Sequence, residues 1–565
     1  MRPLLLALVS VTIAAASDFS KFVDDYFDAR FEFRPADATA SGFHQYDAHL
    51  GDLSAPAIQK RIATLKRQQT RLAALRAAAL PPADAIDAEF LDGQIRSELL
   101  DLETLKLWRT NPMLYVQVPG AAIDGLMKRN FAPAPERLRS ATARLKAVPA
   151  LVAAMRANIE NPPKEFTSLA IEIASGTAGY LRGAVAEWGR GAAGPDGALR
   201  ADFERANTAA AAAMENAVAW LKSDLLPRSK GTYAIGAENY RRKLLYDDMV
   251  DIPLDRLLAI GEANLEKDRQ AFIETARRID PNKSPLEVVD LISKDHPTAA
   301  NLVPFTRETI ESTRRFLIDR RIVTIPSEVR PTIEETPPYA RAGSFASMDT
   351  PGAYETRATE AFYYVTPPDE SWTPAQKEEH LRSFNRSGLA LITIHEAFPG
   401  HYTQFLYAKQ FPTKTRKLAF CSTNAEGWAH YAEQMMVDEG YGSGDPKIRL
   451  GQLHEALLRD CRYVVGIKLH TAGMTVAEGA KVFEERGFRE PQVGFEEARR
   501  GTFDPTYLYY TLGKLEIYKL RADYQKARGA SYTLEQFHND FVKQGGLPIP
   551  LIRRILLGGA ASPGL

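Results

Sequence analysis

The motif HEAFPGH at residues 395–401 constrains the fold of this chain more than any other segment. Its two histidines are six residues apart, so a regular helix would place them roughly 120° apart around its axis. Pro399 lacks a backbone donor and clashes with the preceding helical turn, and Gly400 tolerates unusual backbone dihedrals. We therefore predict a bulged or broken turn at Pro399-Gly400 that brings His401 back beside His395.

A second motif, EGWAH at residues 426–430, supplies a carboxylate on a predicted helix from about Thr423 to Val437. Glu426 follows His401 by 25 residues, and a helix–loop–helix of that length can return its carboxylate to the histidines. Two imidazoles and one carboxylate are a ligand set of catalytic zinc sites, which keep a fourth position for water. The two motifs therefore predict one Zn²⁺ ion bound by His395, His401 and Glu426.

Several neighbouring polar residues are candidates for catalysis. Glu396, next to the first ligand, is placed to take a proton from the water. His430 and Glu433 share a helix stripe with Glu426. Glu433 is expected to orient a ligand. His430 is a candidate for a metal ligand, for a hydrogen-bond donor to the substrate, or for an indirect partner that supports a ligand. It is equally consistent with a buried structural histidine. An oxyanion needs a further donor, for which Tyr510 is preferred over the other candidates Tyr509, His430 and His470. Tyr507, Tyr509 and Tyr510 also fit interior aromatic positions.

The composition and the N-terminus indicate an exported protein without a nucleic-acid partner. Lys+Arg and Asp+Glu both total 71, so the chain lacks the basic footprint of nucleic-acid binders. Met1-Arg2, a short apolar run and small residues at 14–17 predict a signal peptide over residues 1–16, cleaved near Ala16 or Ser17, and a periplasmic or extracellular location. The alternative is an ordinary buried N-terminal helix. No later apolar segment is long enough for a membrane span. No cysteine lies near the N-terminus, so we expect no lipid anchor.

The pattern along the chain predicts a mainly α, multi-helical fold in two lobes, with a small β-sheet beside the active-site helix. An N-terminal helical lobe is expected over residues 17–230 and a catalytic lobe over residues 231–565. Apolar residues at intervals of three and four predict long helices, namely Ile58–Ala79, Ala83–Leu107, Pro135–Ile159, Phe166–Trp188, Ala201–Leu225, Leu254–Ile279 and Pro304–Asp319. Strands are predicted at Ile322–Arg330 and Ala361–Val365, separated by an irregular surface segment, Pro337–Tyr354. Cys421 and Cys461 form one disulfide or are two buried free thiols.

HEAFPGH followed by EGWAHYAEQM resembles the signature of a large bacterial family catalogued as domain of unknown function 885. Its members are often exported and are regarded as zinc metallopeptidases, and the resemblance extends to PTYLYYTLGKLEI, which contains Tyr510 and Gly513. It implies a mostly helical fold related to gluzincin-type peptidases, in which glutamate is a zinc ligand. His395, His401 and Glu426 would then be the ligands and Glu396 the base. One departure is the sequence before His470, where similar proteins often carry Asp-Thr-Gly.

Three functions are consistent with these residues. The first is hydrolysis of peptide bonds, with short peptides as partners, by zinc-activated water and Glu396. The second is zinc-dependent hydrolysis of a non-peptide ester or amide, and the third is a catalytically silent, exported metal-binding protein. For the first, the Ala361–Val365 strand is a candidate for pairing with an extended substrate. Arg459, Arg462 and Lys468 are candidate anchors for a substrate carboxylate or, alternatively, structural ion-pair partners.

Overall fold

The computed structural model describes residues 2–336, 341, 345–559 and 565. Helices account for 72% of the chain, and the sheet has three strands, which confirms the predicted mainly α fold class. Within the described ranges, no helix is both long enough and apolar enough to cross a membrane. The backbone of residues 2–16 belongs to the first helix, Arg2–Phe33. Met1 and the side chains of residues 2–16 lie outside the description, so the signal peptide stays a prediction.

The chain divides into two compact units. Unit 1 comprises the residues up to Tyr233 together with Pro351–Thr359, and unit 2 comprises Ala234–Thr350 and Glu360–Leu565. The helices of unit 1 are α1 (Arg2–Phe33), α2 (Pro35–Ser41), α3 (Ala55–Ala77), α4 (Pro82–Leu99), α5 (Leu107–Thr110), α6 (Met113–Val116), α7 (Val118–Lys128), α8 (Ala134–Asn158), α9 (Lys164–Tyr180), α10 (Ala186–Ala192), α11 (Gly197–Trp220) and α12 (Leu226–Arg228).

Unit 1 is built around α8, α9 and α11, whose apolar faces form one continuous core. Leu100–Thr104, Leu181–Val185 and Leu221–Leu225 are single π-helical turns, which end α4, α9 and α11. The segment Pro351–Thr359 joins this unit through an ion pair between His44 Nε2 and Glu355 Oε2, 2.8 Å apart. His44 Nδ1 also lies 3.1 Å from Asp47 Oδ2. The sequence patterns did not predict that this segment returns to unit 1.

Unit 2 contains the remaining helices and the sheet. Its helices are α13 (Ala237–Asp248), α14 (Leu254–Ile279), α15 (Pro285–Ser293), α16 (Leu302–Asp319), α17 (Pro374–Arg382), α18 (Arg386–Glu396), α19 (His401–Ala408), α20 (Lys414–Leu418), α21 (Ser422–Asp438), α22 (Pro446–Thr471), α23 (Val476–Glu485), α24 (Pro491–Phe503), α25 (Tyr509–Arg528), α26 (Leu534–Val542) and α27 (Ile549–Leu557); the strands are β1 (Thr332–Glu335), β2 (Ala346–Asp349) and β3 (Phe362–Val365). Helix α14 packs along α22, and α21 packs along α25.

The sheet has the strand order β1-β3-β2, with β1 parallel and β2 antiparallel to β3. The predicted strand Ala361–Val365 is confirmed as β3, and the Tyr363 hydroxyl lies 3.4 Å from Thr393 Oγ1 of α18, which places the sheet beside that helix. Because β3 is the central strand, both of its edges are already paired. The expectation that this strand pairs with a substrate peptide is therefore wrong.

Two other strand predictions are also wrong. Residues 322–330 form no strand, because their backbone groups bond to side chains: Tyr407 donates to the Thr324 carbonyl at 2.8 Å, and Tyr402 donates to the Val329 carbonyl at 3.1 Å. Within the predicted irregular segment Pro337–Tyr354, residues 346–349 form strand β2 instead. Residues 337–340 and 342–344 of that segment lie outside the described residues.

The two cysteines are buried free thiols, so the disulfide alternative is wrong. Cys421 Sγ donates to Asp248 Oδ1 at 3.2 Å, and Cys461 Sγ lies 3.6 Å from the Val482 carbonyl oxygen. Asp248 also accepts from the Thr423 amide at 3.3 Å and from the Thr423 hydroxyl. A buried carboxylate from α13 therefore satisfies free donors in the first turn of α21.

Helices α21 and α25 approach closely at Gly427 and Gly513. A Cβ atom built on Gly427 would lie 2.5 Å from the Gly513 Cα, and one built on Gly513 would lie 2.7 Å from the Gly427 Cα. A Cβ on Gly513 would also overlap the Thr423 carbonyl oxygen. Only glycine at both positions permits this crossing, which sets the distance between the two helices.

We predict that Gly513→Ala destabilises the protein by about 1–3 kcal/mol, because the added methyl group meets backbone atoms that cannot rotate away. The measurement is the midpoint of thermal unfolding followed by circular dichroism. Gly176→Ala in α9 is the control, since a Cβ there meets no atom within 4 Å. An unchanged midpoint in Gly513→Ala would contradict the close crossing.

Candidate metal centre

The first two candidate ligands lie on either side of a break between two helices. Helix α18 ends at Glu396 and α19 begins at His401, so the break spans residues 397–400. The Gly400 amide donates to the Ile394 carbonyl at 2.9 Å, and the Phe398–Pro399 peptide bond is cis. Trp428 Nε1 donates to the Pro399 carbonyl at 2.7 Å, which ties the break to α21. The chain therefore turns at the predicted proline–glycine pair.

Gly400 is required at this break. A Cβ atom on Gly400 would overlap the carbonyl oxygen of His395 and would crowd the carbonyl oxygen of Ile394. Both are backbone atoms at the end of α18, so neither can move without changing the position of the His395 side chain. The small size of glycine therefore lets the chain fold back against the helix that it has just left.

The break brings His395, His401 and Glu426 together. Glu426 Oε2 lies 3.4 Å from His395 Nε2 and 3.5 Å from His401 Nε2, and all three ligand atoms lie within 4.8 Å of one another. The two imidazole rings are nearly perpendicular, with centroids 4.9 Å apart. Tetrahedral zinc with bonds of about 2.0–2.1 Å separates its ligand atoms by about 3.3 Å. The spacing and the donor types therefore fit a zinc ion.

The centre is open on one side. The side chains of His401 and Glu426 keep 26% and 25% of their exposure, whereas His395 is buried. The three side chains come from α18, α19 and α21, and the exposed part of the cluster belongs to His401 and Glu426. This arrangement leaves room for a water molecule or a substrate group as a fourth ligand.

Glu433 on α21 orients His395. Its Oε1 lies 2.6 Å from His395 Nδ1, so this nitrogen carries the proton and donates it to the carboxylate. His395 Nε2 lies 3.4 Å from Glu426 Oε2 and is the nitrogen that a metal ion would take, displacing the proton that it carries without a metal. Burial lowers the pKa of His395, but its hydrogen bonds to Glu426 and Glu433 raise it to about 10. Such carboxylate–histidine pairs fix the orientation of ligand imidazoles.

Buried Arg459 and hydrogen bonds from two histidines stabilise the negative charge of Glu433. Burial alone would raise its pKa, but Arg459, His430 and His395 hold the pKa of Glu433 well below its usual value. Arg459 Nη2 lies 3.4 Å from Glu433 Oε1. Glu433 therefore stays ionised. An ionised carboxylate is the acceptor that the Nδ1 hydrogen of His395 needs.

His430 does not join the three ligand atoms. Its side chain is completely buried, with Nδ1 3.2 Å from Glu433 Oε2. Burial, Lys514 and Arg459 lower the pKa of His430 to about 4 although Glu433 opposes them, so the imidazole is neutral near pH 7. His430 reaches His395 only through Glu433, which fits the role of an indirect partner and equally that of a buried structural histidine.

Glu396 has a free carboxylate beside the ligands. It is partly exposed at the end of α18, and in the described part of the chain it accepts no hydrogen bond and forms no ion pair. A carboxylate in this state is free to bind a water molecule and take its proton. Freedom to accept a proton is one requirement of a general base.

Tyr510 lies next to the centre, whereas the other candidate donors bond elsewhere. The rings of Tyr510 and His395 are 6.5 Å apart between centroids. Tyr509 donates to Asp504 at 2.8 Å, and His470 Nε2 lies 2.7 Å from the Gly501 carbonyl oxygen. Tyr507 is fully buried. Tyr510 is therefore the tyrosine that the structure keeps as a candidate oxyanion donor.

The candidate carboxylate anchors are structural ion-pair partners. Arg462 forms two bonds to Glu497, at 2.7 and 2.8 Å. Lys468 lies 2.7 Å from Glu262, and Arg459 is held by Glu433 and Glu455. The sequence analysis missed Arg500, whose guanidinium lies near Tyr510. The sequence gives little indication of a role for Arg500. Asp504 follows it by one helical turn, a spacing that is typical of an ion pair on a helix surface.

Residues 35–556 match the model of a family described as "Bacterial protein of unknown function (DUF885)". No curated protein matches the chain. The fold is similar to that of a candidate lipoprotein of unknown function from Shewanella oneidensis, with a TM-score of 0.80 and 27% identity over 95% of this chain and 99% of that chain. A candidate lipoprotein from Colwellia psychrerythraea shares the fold at a TM-score of 0.77 and 16% identity, over 97% of this chain and 98% of that chain.

We predict that Gly400→Ala abolishes binding of added zinc, because the methyl group displaces the His395 carbonyl and with it the His395 side chain. Zinc bound per chain after dialysis is the measurement. Gly388→Ala in the same helix is the matched control, since its Cβ would come no closer than 3.1 Å, to the Asn385 side chain. Equal zinc in both variants would show that the bend does not organise the centre.

Proposed function

The chain belongs to the DUF885 family, and we propose that it is an exported zinc-dependent metallopeptidase that hydrolyses peptide bonds of short peptides. The observation that carries the proposal is the meeting of His395, His401 and Glu426 within 4.8 Å, beside an unpaired Glu396. A purely structural zinc site has no use for an open side or for a free carboxylate there. The candidate lipoproteins of similar fold support the export part of the proposal.

Each residue has one role in the proposed reaction. A zinc ion held by His395, His401 and Glu426 would polarise the scissile carbonyl and lower the pKa of the attacking water from 15.7 to about 7. Glu396 takes the proton of the attacking water and returns it to the leaving amine. Tyr510 donates a hydrogen bond to the oxygen on which negative charge develops. Glu433 holds His395 in its ligand orientation throughout.

We predict one zinc ion per chain in the wild type and its loss in His395→Ala and in Glu426→Ala, because each substitution leaves only two protein ligands. Elemental analysis of purified, dialysed protein measures the metal. His296→Ala is the matched control, since His296 lies in the same unit and pairs with Glu378 at 3.1 Å. Full zinc content in the two ligand variants would exclude this centre.

We predict that Glu396→Gln keeps its zinc and loses about 10²- to 10⁴-fold in kcat, because the amide cannot accept the proton. Digestion of a peptide library, read by mass spectrometry, measures turnover. Glu274→Gln, an exposed substitution on α14, is the control and retains activity.

The same digest separates the proposed reaction from its rivals. Wild-type turnover in Glu396→Gln would rule out this residue as the base. Intact peptides together with hydrolysis of ester substrates would assign the centre to another bond. A zinc-loaded protein that hydrolyses neither would be a metal-binding protein without hydrolytic activity.

A further inference from the structure

We propose that Arg500 binds a carboxylate group of the substrate and so selects peptides that carry a carboxylate close to the scissile bond. This inference rests on the proposed function and concerns the same site. It names a specificity residue on α24 and a substrate class, acidic or C-terminally free short peptides.

Tyr510 connects Arg500 to the metal centre. The Tyr510 ring lies 6.5 Å from the His395 ring between centroids, and the Arg500 guanidinium carbon lies 6.0 Å from the Tyr510 ring centroid. Arg500 Nη2 also lies 3.4 Å from the Tyr510 hydroxyl, to which it donates. The Arg500 guanidinium is therefore no more than about 13 Å from the ring of His395, a candidate zinc ligand. It lies on the same side of His395 as Tyr510, the candidate oxyanion donor.

Two other guanidinium groups surround Tyr510, but carboxylates already engage them. The guanidinium carbons of Arg459 and Arg462 lie 5.9 and 5.0 Å from the Tyr510 ring centroid. Their side chains keep only 12% and 8% of their exposure. Arg462 forms a two-bond pair with Glu497, and Arg459 is held between Glu433 and Glu455. Both are therefore paired and little exposed to a ligand.

Arg500 differs in the direction of its hydrogen bonds. All its bonds come from Nη2, which contacts Asp504 Oδ2 and the Tyr509 hydroxyl at 3.2 Å and the Tyr510 hydroxyl at 3.4 Å. Within the ranges that the structure describes, Nε and Nη1 bond to no protein atom. The side chain keeps 33% of its exposure, against 12% and 8% for Arg459 and Arg462. A guanidinium with free N–H donors in a fixed plane suits a carboxylate.

The distance limits where the substrate carboxylate lies. An extended peptide advances about 3.3 Å per residue. A span of about 13 Å therefore covers at most roughly four residues between the scissile bond and the carboxylate. If the carboxylate is the C-terminal one, the peptide is cut near its C-terminus. If it is an acidic side chain, that side chain belongs to a residue close to the scissile bond.

The test compares three N-acetylated penta-alanine peptides: one with a free C-terminus, one with a C-terminal amide, and an amide peptide in which glutamate replaces the fourth alanine. We expect zinc-loaded wild type to cleave at least one carboxylate-bearing peptide with a kcat/KM about 10- to 100-fold above that of the neutral amide. Arg500→Gln loses this preference, mainly through KM. Preference for the free C-terminus or for the glutamate peptide identifies the source of the carboxylate.

Arg499→Gln is the matched control, because Arg499 neighbours Arg500 on α24 and pairs with Glu496 at 2.7 Å. It keeps the preference. Equal cleavage of all three peptides by the wild type, or an unchanged preference in Arg500→Gln, would overturn the inference and leave the peptidase proposal standing.

Calorimetric binding of the same peptides to the zinc-loaded proteins covers the case in which nothing is cleaved. Tighter binding of a carboxylate-bearing peptide that is lost in Arg500→Gln would support the Arg500 site while the peptidase proposal fails. Equal binding of all three peptides, or no binding, would overturn the Arg500 site as well.

Discussion

The candidate metal centre depends on a backbone contact at Gly400, where the chain reverses against the helix that it has just left. Without a side chain, Gly400 packs on the carbonyl oxygen of His395 and donates to Ile394. Helix α18 thus ends with His395 and Glu396 at its edge, and α19 begins with His401 facing them. The close glycine crossing of α21 and α25 then sets how far Glu426 and Tyr510 stand from these histidines.

The ionised Glu433 at the back of the centre needs buried positive charge, since an unpaired buried carboxylate is costly. Arg459 and the imidazoles of His395 and His430 surround it. One turn of α25 beyond Tyr510, buried Lys514 pairs with Asp268 at 3.4 Å and helps keep His430 neutral. Burial lowers the pKa of Lys514, but Asp268 and Asp460 raise it above its usual value. The centre is therefore supported by a charge network that spans α14, α21, α22 and α25.

Local patterns predicted the parts of this molecule that depend on neighbouring residues. Periodicity placed the helix Leu254–Ile279 at its observed bounds, and the histidine–proline–glycine spacing placed the bend. Strands were less predictable because pairing is decided by distant segments. Residues 322–330 have strand-like composition but bond to the side chains of Tyr402 and Tyr407, and β2 formed in a segment expected to be irregular. Arg500 was missed because its importance depends on which of its nitrogens the fold leaves unpaired.

Arg459 connects the support of His395, a candidate metal ligand, to the proposed recognition of a substrate carboxylate. It contacts Glu433, which holds His395, and its guanidinium also lies over the ring of Tyr510. Tyr510 in turn accepts from Arg500. A single helix, α22, therefore contributes to the position of His395, a candidate zinc ligand, and of the aromatic ring that lies between His395 and Arg500. Because cores pack without slack, a shift of α22 would change the positions of the His395 side chain and of the Tyr510 ring together.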